Sequence, residues 1–124
     1  MQEEGGCVES TNVNVMSGFV SRGAVLSTAQ NGVRFLTFGF CWILRKKDEN
    51  GTWVDDFNFI DCILFGRMAM ADFKNLRKGQ RITIKGKLKQ NSLATAPSRG
   101  FQILVEEIDY GSMLKKYRQA GDPR

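Results

Sequence analysis

The chain contains no histidine and no Cys-X-X-Cys pair. The first absence removes the side chain that most often moves protons near neutral pH. Together they remove the usual ligand sets of a zinc site, so no metal is expected. The carboxylates do not fill the gap. Asp55 and Asp56 are adjacent, and on a strand they point to opposite faces, which suits neither an acid–base dyad nor a metal pair. Gly79 and Gly86 lack the spacing of a phosphate-binding loop, and no Ser or Thr follows Lys87. Catalysis is therefore not expected, and neither is a cofactor. The three cysteines, Cys7, Cys41 and Cys62, are odd in number and widely spaced. They build no disulfide framework, and a reducing, intracellular compartment is the simpler reading. No apolar run is long enough to cross a membrane. The segment Met1–Ser10 is acidic and polar, unlike a secretory signal or an Arg-rich transit peptide, so an imported protein would already lack its presequence.

What is present is charge of one sign in one place. The net charge is +5 over 124 residues. Between Gly66 and Val105 stand nine Lys and Arg (Arg67, Lys74, Arg77, Lys78, Arg81, Lys85, Lys87, Lys89 and Arg99) against one acid, Asp72. Such an excess is the footprint of a polyanion site, or else a solvated surface that maintains solubility.

The length allows one domain. Residues 1–11 read as a flexible tail, residues 12–110 as one continuous pattern, and residues 111–124 as a flexible basic segment. Within the pattern, strands are expected over Asn12–Arg22, Val33–Leu44, Trp53–Phe65, Gln80–Lys89 and Phe101–Tyr110. Gly18 marks a bulge or barrel corner in the first. Asn50-Gly51 turns the hairpin between the second and third. Ala69, Phe73 and Leu76 form one stripe of a helix over Met68–Leu76, with Arg77 and Lys78 at its negative end and Gly79 closing it. Three strands, a helix, then two strands is the order of the all-β, five-stranded OB-fold barrel, with the helix between strands three and four.

Two strands carry chemistry on their outward faces. In the third, Ile60, Cys62 and Leu64 suit the interior, while Phe57, Phe59, Asp61, Ile63 and Phe65 point the other way. Outward rings stack on bases at ~1–3 kcal/mol each, or pack against another subunit. In the fourth, Ile82, Ile84 and Leu88 point in. Arg81, Thr83, Lys85, Lys87 and Lys89 point out as a cationic ladder of ~6–7 Å repeat, near the phosphate spacing of an extended strand. Lysines that protect an edge strand would look the same. The hairpin carrying Arg45, Lys46 and Lys47, flanked by Trp42 and Trp53, and the loop Gln90–Gly100 with Arg99, are candidates to close over a bound strand.

The run Phe59-Ile60-Asp61-Cys62-Ile63-Leu64-Phe65-Gly66-Arg67 and the later run Leu76-Arg77-Lys78-Gly79-Gln80-Arg81-Ile82-Thr83-Ile84-Lys85-Gly86-Lys87-Leu88 resemble the bacterial and mitochondrial single-stranded DNA-binding proteins. The resemblance spans residues 12–110 and is most specific in the central third. It implies an OB fold, a homotetramer as the usual assembly, and single strands wrapped over the outer faces. By position, Phe59 and Phe65 fall on two of the family's stacking aromatics. Two more fall near Leu44, where Trp42 could substitute, and Leu93, and leucine cannot stack as a ring does. The family's acidic C-terminal tip is also missing. The chain ends in Lys115-Lys116-Tyr117-Arg118 and Asp122-Pro123-Arg124, so either a tail has been removed or this is a tail-less relative. Tail-less relatives resemble the mitochondrial DNA-binding proteins, or the OB-fold subunits of the trypanosomatid mitochondrial RNA-editing complex.

Three readings follow. One is a binding module for single-stranded DNA or RNA with little sequence preference, using Phe59 and Phe65 for stacking and Arg67, Arg81, Lys85, Lys87 and Lys89 for phosphates. The second is an interaction subunit whose phenylalanines are buried in a homodimer or homotetramer, or against other OB-fold proteins. The third, an enzyme, has no residues to carry it. The compartment expected is the bacterial cytoplasm and nucleoid, or the mitochondrial matrix.

Overall fold

The period-two alternation of the sequence resolves into five strands and one helix in the structure, a computed structural model that describes residues 8–91 and 100–110. The strands are β1 (Asn14–Thr28), β2 (Arg34–Lys47), β3 (Trp53–Phe65), β4 (Arg81–Gln90) and β5 (Phe101–Asp109), and α1 (Gly66–Asp72) lies between β3 and β4. They close into a barrel in the order β1-β2-β3-β5-β4, with β4 returning to β1. All pairings are antiparallel except the short parallel contact of β3 with β5. This is the OB architecture expected from the element order. The basic segment 111–124, Arg99, Leu93, Cys7 and most of the N-terminal tail lie outside the described residues.

The inward side chains Val20, Leu36, Phe38, Phe40, Cys62, Leu64, Ile82, Ile84, Ile103 and Val105 fill the barrel, and Ala69 and Leu76 plug one end. Two glycines sit where strands approach too closely for a side chain. A Cβ on Gly18 would collide with the Cys41 carbonyl oxygen, and one on Gly86 with that of Leu104. Gly18 is thus a close approach rather than a bulge. The irregularities in β1 come later, between Val20 and Arg22 and between Arg22 and Val25.

The helix is shorter than its hydrophobic stripe suggests. Gly66, at φ 64°, lets β3 pass straight into α1. The helix then ends at Asp72, because the next segment hydrogen-bonds to β1 instead. Ala24 N donates to Leu76 O, Gly79 N to Val20 O, and Val20 N to Gln80 O. Leu76 is buried by this route, but Phe73 stays exposed, and no basic residue lies in the last helical turn. Arg77 and Lys78 therefore do not act on the helix dipole. Tyr110 ties the end of β5 to α1, its hydroxyl donating to Asp72 Oδ1 at 2.7 Å.

Candidate nucleic-acid interface

β2 and β3 pair along their full length, so residues of one parity on the two strands stand in rows, with Gly39 and Cys41 buried among them. Lys47 is opposite Trp53, Arg45 opposite Asp55, Ile43 opposite Phe57, Cys41 opposite Phe59, Gly39 opposite Asp61, Thr37 opposite Ile63 and Phe35 opposite Phe65. β5 pairs with β3 only from Asp61 to Ile63. Among the described strands, the stretch Trp53–Ile60 therefore pairs with β2 alone, as a two-stranded arm extending past the pairing with β5. Turn geometry stiffens the arm. The Asp48 carboxylate accepts hydrogen bonds from the Asn50 and Thr52 amides, each at 2.9 Å, and Gly51 takes φ 80°.

The outward rings are accessible. Phe57, Phe59 and Phe65 are 52%, 65% and 45% exposed, and Trp53 is 56% exposed. Phe57 and Phe59 are two residues apart on one face, about 6–7 Å along the strand. The Trp53 ring is flanked by Arg45 at 5.9 Å and Lys47 at 5.3 Å, so a cation and a π face are offered together. Phe65 packs obliquely on Phe35, with centroids 6.0 Å apart.

Other sequence-predicted residues land elsewhere. Trp42 and Lys46 belong to the opposite face of β2. Trp42 is half-buried, stacks on Phe40 at 6.3 Å and packs against the core, and Lys46 pairs with Asp56 at 3.5 Å. Leu44 shares that opposite face. Ile63 has outward parity but is buried, because it sits where β2, β3 and β5 run side by side, between Thr37 and Leu104. Leu88, expected inside, is exposed; the register slips between Lys85 and Gly86, and Leu88 lies beyond that slip. Arg67 is exposed in the first turn of α1.

The cationic ladder on β4 is not bare charge. Lys85 pairs with Glu107 at 3.6 Å, Lys87 with Glu106 at 3.3 Å, and Lys89 donates to Gln102 Oε1 at 3.1 Å. Arg81 is half-buried opposite Phe19 and also engaged. The two glutamates follow directly after the basic stretch in sequence, and the β4–β5 pairing folds them back beside the lysines. These pairs are partly exposed, and such pairs are worth only ~0–1 kcal/mol. A phosphate can displace the carboxylate at little loss.

Arg22 and Phe101 carry no signal in the sequence pattern, whereas Arg45 belongs to the hairpin singled out there. Arg22 pairs with Asp61 at 3.0 Å, Arg45 with Asp55 at 3.4 Å, and Phe101 is 58% exposed beside Phe59 in an open groove. Among the described residues, no group of three or more metal-ligating side chains gathers, and no helix is long and apolar enough to cross a membrane.

Aromatic rows beside cations on the outside of an OB barrel agree with what comparison with known proteins finds. Residues 11–110 match the Single-strand binding protein family. The chain belongs to that family. It is 32% identical over 81 residues to the single-stranded DNA-binding protein of Borreliella burgdorferi, covering 65% of this chain and 54% of that protein. It is 30% identical over 108 residues to that of Helicobacter pylori, covering 79% and 60%. The chain thus spans about half the length of the curated relatives it matches. In fold, it is similar to the small single-stranded DNA-binding protein from Streptomyces coelicolor, with a TM-score of 0.69 at 18% identity over 86% of this chain and 98% of that one. It is also similar to the Plasmodium falciparum single-stranded DNA-binding protein in complex with single-stranded DNA, with a TM-score of 0.67 at 18% identity over 83% and 95%.

Proposed function

We propose that this chain binds single-stranded DNA without catalysing a reaction, along the outward face of β2 and β3. The observation that carries the reading is the row of accessible rings, Trp53, Phe57 and Phe59, with Arg45 and Lys47 at one end and the Arg22–Asp61 pair at the other. Bases stack on the rings, and Arg45, Lys47 and Arg67 neutralise phosphates. Lys85, Lys87 and Lys89 extend the track once their carboxylate and amide partners are displaced. DNA is favoured over RNA because the relatives named above are single-stranded DNA-binding proteins, and they lend no support to an RNA-editing role. Their bacterial origin favours the cytoplasm and nucleoid over the mitochondrion. Self-association belongs to the same proposal. Val13 and Val15, exposed just before and at the start of β1, give an apolar patch for a second copy.

Titration of fluorescent oligo(dT) and oligo(U) tests the reading. Oligo(dT) should bind more tightly than oligo(U), and both should weaken as salt rises. No binding of either at low salt would refute it. Light scattering tests the assembly: a dimer or tetramer is expected, and a monomer at micromolar concentration would contradict it.

A further inference from the structure

We infer that Arg22 and Asp61, beside Phe59, form a guanine-selective subsite on a face that otherwise binds bases indiscriminately. The inference rests on the reading of that face as a single-strand track.

The arrangement begins with the irregular pairing of β1 around Arg22, which is opposite Gly39 on β2. A Cβ on Gly39 would lie 2.8 Å from Ser21 Oγ and 2.9 Å from the Arg22 Cβ. Only glycine lets the Arg22 side chain lie down there, across the whole width of β2, to reach Asp61 on β3. Both members of the pair are about half exposed, at 55% and 44% of their side-chain surface. Asp61 is two residues beyond Phe59 on the same face. Ser21, Arg22, Gly39, Phe59, Asp61 and Phe101 line one open groove of about 400 Å³.

A base stacked on Phe59 in this groove turns its edge toward the pair. The carboxylate offers about four lone-pair sites, and Arg22 Nη1 occupies one of them at 3.0 Å. The pair therefore presents a cationic donor beside a carboxylate that still has both oxygens able to accept. Guanine carries the complement on one edge: the O6 acceptor, then the N1–H and N2–H donors. Arg22 donates to O6 and Asp61 accepts from both N–H groups. Thymine has one N–H between two carbonyls. Adenine and cytosine each place an amino group beside a bare ring nitrogen, which faces the carboxylate with a lone pair. Only guanine satisfies both oxygens, and single-strand readers do recognise bases by such edges.

The test uses the full 124-residue chain and labelled strands of about twenty nucleotides, longer than the ~4–16 that one OB barrel covers. Four strands are compared: oligo(dT), and oligo(dT) with well-separated guanine, adenine or inosine substitutions. The guanine strand should bind about ten-fold tighter than the others, near the lower end of what a good bidentate base contact gives. The adenine strand controls for purine stacking, and inosine lacks only the 2-amino group. Asp61→Asn, which replaces one accepting oxygen with a donor, should level the four affinities. Strong binding with equal affinities for guanine and adenine would overturn the subsite and leave the proposed function standing. Failure to bind any strand would overturn both. The inosine comparison needs no variant, so it decides even if Asp61→Asn fails to fold.

Discussion

Single side chains decide how firmly the barrel is closed at the α1 end. Tyr110 and Asp72 are far apart in sequence, yet a 2.7 Å hydrogen bond joins them. Burial and the neighbouring Asp72 carboxylate push the Tyr110 phenol well above its ordinary value of 10.0. Burial likewise raises the Cys62 thiol above 9.0, with Asp61 adding to the effect. In both cases the folded state holds the proton more tightly than the unfolded state. Their contribution to stability is fully present below about pH 9 and is lost as pH climbs past the ordinary thiol and phenol values. Urea unfolding should therefore show a flat midpoint from neutral pH to about pH 9 and a decline above it. Tyr110→Phe should lower stability by about 1–2 kcal/mol at pH 7, since the hydrogen bond to a carboxylate is only part-buried, and should make the alkaline decline shallower. An unchanged midpoint in Tyr110→Phe would show that the contact contributes nothing. Neither this pair nor Arg22–Asp61 was legible in the sequence, because each depends on how elements distant in sequence come together. The outward phenylalanines were legible, because alternation on β3 places Phe57, Phe59 and Phe65 opposite Cys62 and Leu64 without any knowledge of neighbours.

At the scale of elements, the succession of strands and helix along the chain and the hairpin turn could be read from pattern alone, and the errors cluster where pairing overrides pattern. The helix stops at Asp72 because the backbone from Leu76 to Gln80 bonds to β1. Ile63 is buried because two strands flank it, whereas Phe57 on the two-stranded arm pairs, among the described strands, with β2 alone. The β4 ladder looked uncompensated because Glu106 and Glu107 follow directly after the basic stretch in sequence, and β4–β5 pairing returns them to Lys87 and Lys85. That pairing yields a prediction for β5. Converting Glu106 and Glu107 together to Gln frees both lysines, so affinity for oligo(dT) at low salt should rise several-fold. The salt slope should steepen by up to about 1.4, at ~0.7 per additional phosphate contact on a single strand. Unchanged affinity and slope would mean that β4 lies off the path of the strand.

The whole molecule is an OB barrel of the Single-strand binding protein family over residues 11–110, with one face on which exposed rings lie between cations at either end. In the proposed function, the net charge of +5 attracts a polyanion and the rings set where it lies. The central claim is that Phe57 and Phe59 carry a bound single strand. It is tested most directly by titrating oligo(dT) into the wild-type chain and into Phe57→Ala/Phe59→Ala, with light scattering on both. Stacking on two rings at ~1–3 kcal/mol each predicts a loss of about thirty-fold or more in affinity, with the oligomer and the salt slope unchanged. Unaltered affinity, or a collapse of the oligomer in its place, would contradict the account and make the aromatic face a contact between proteins.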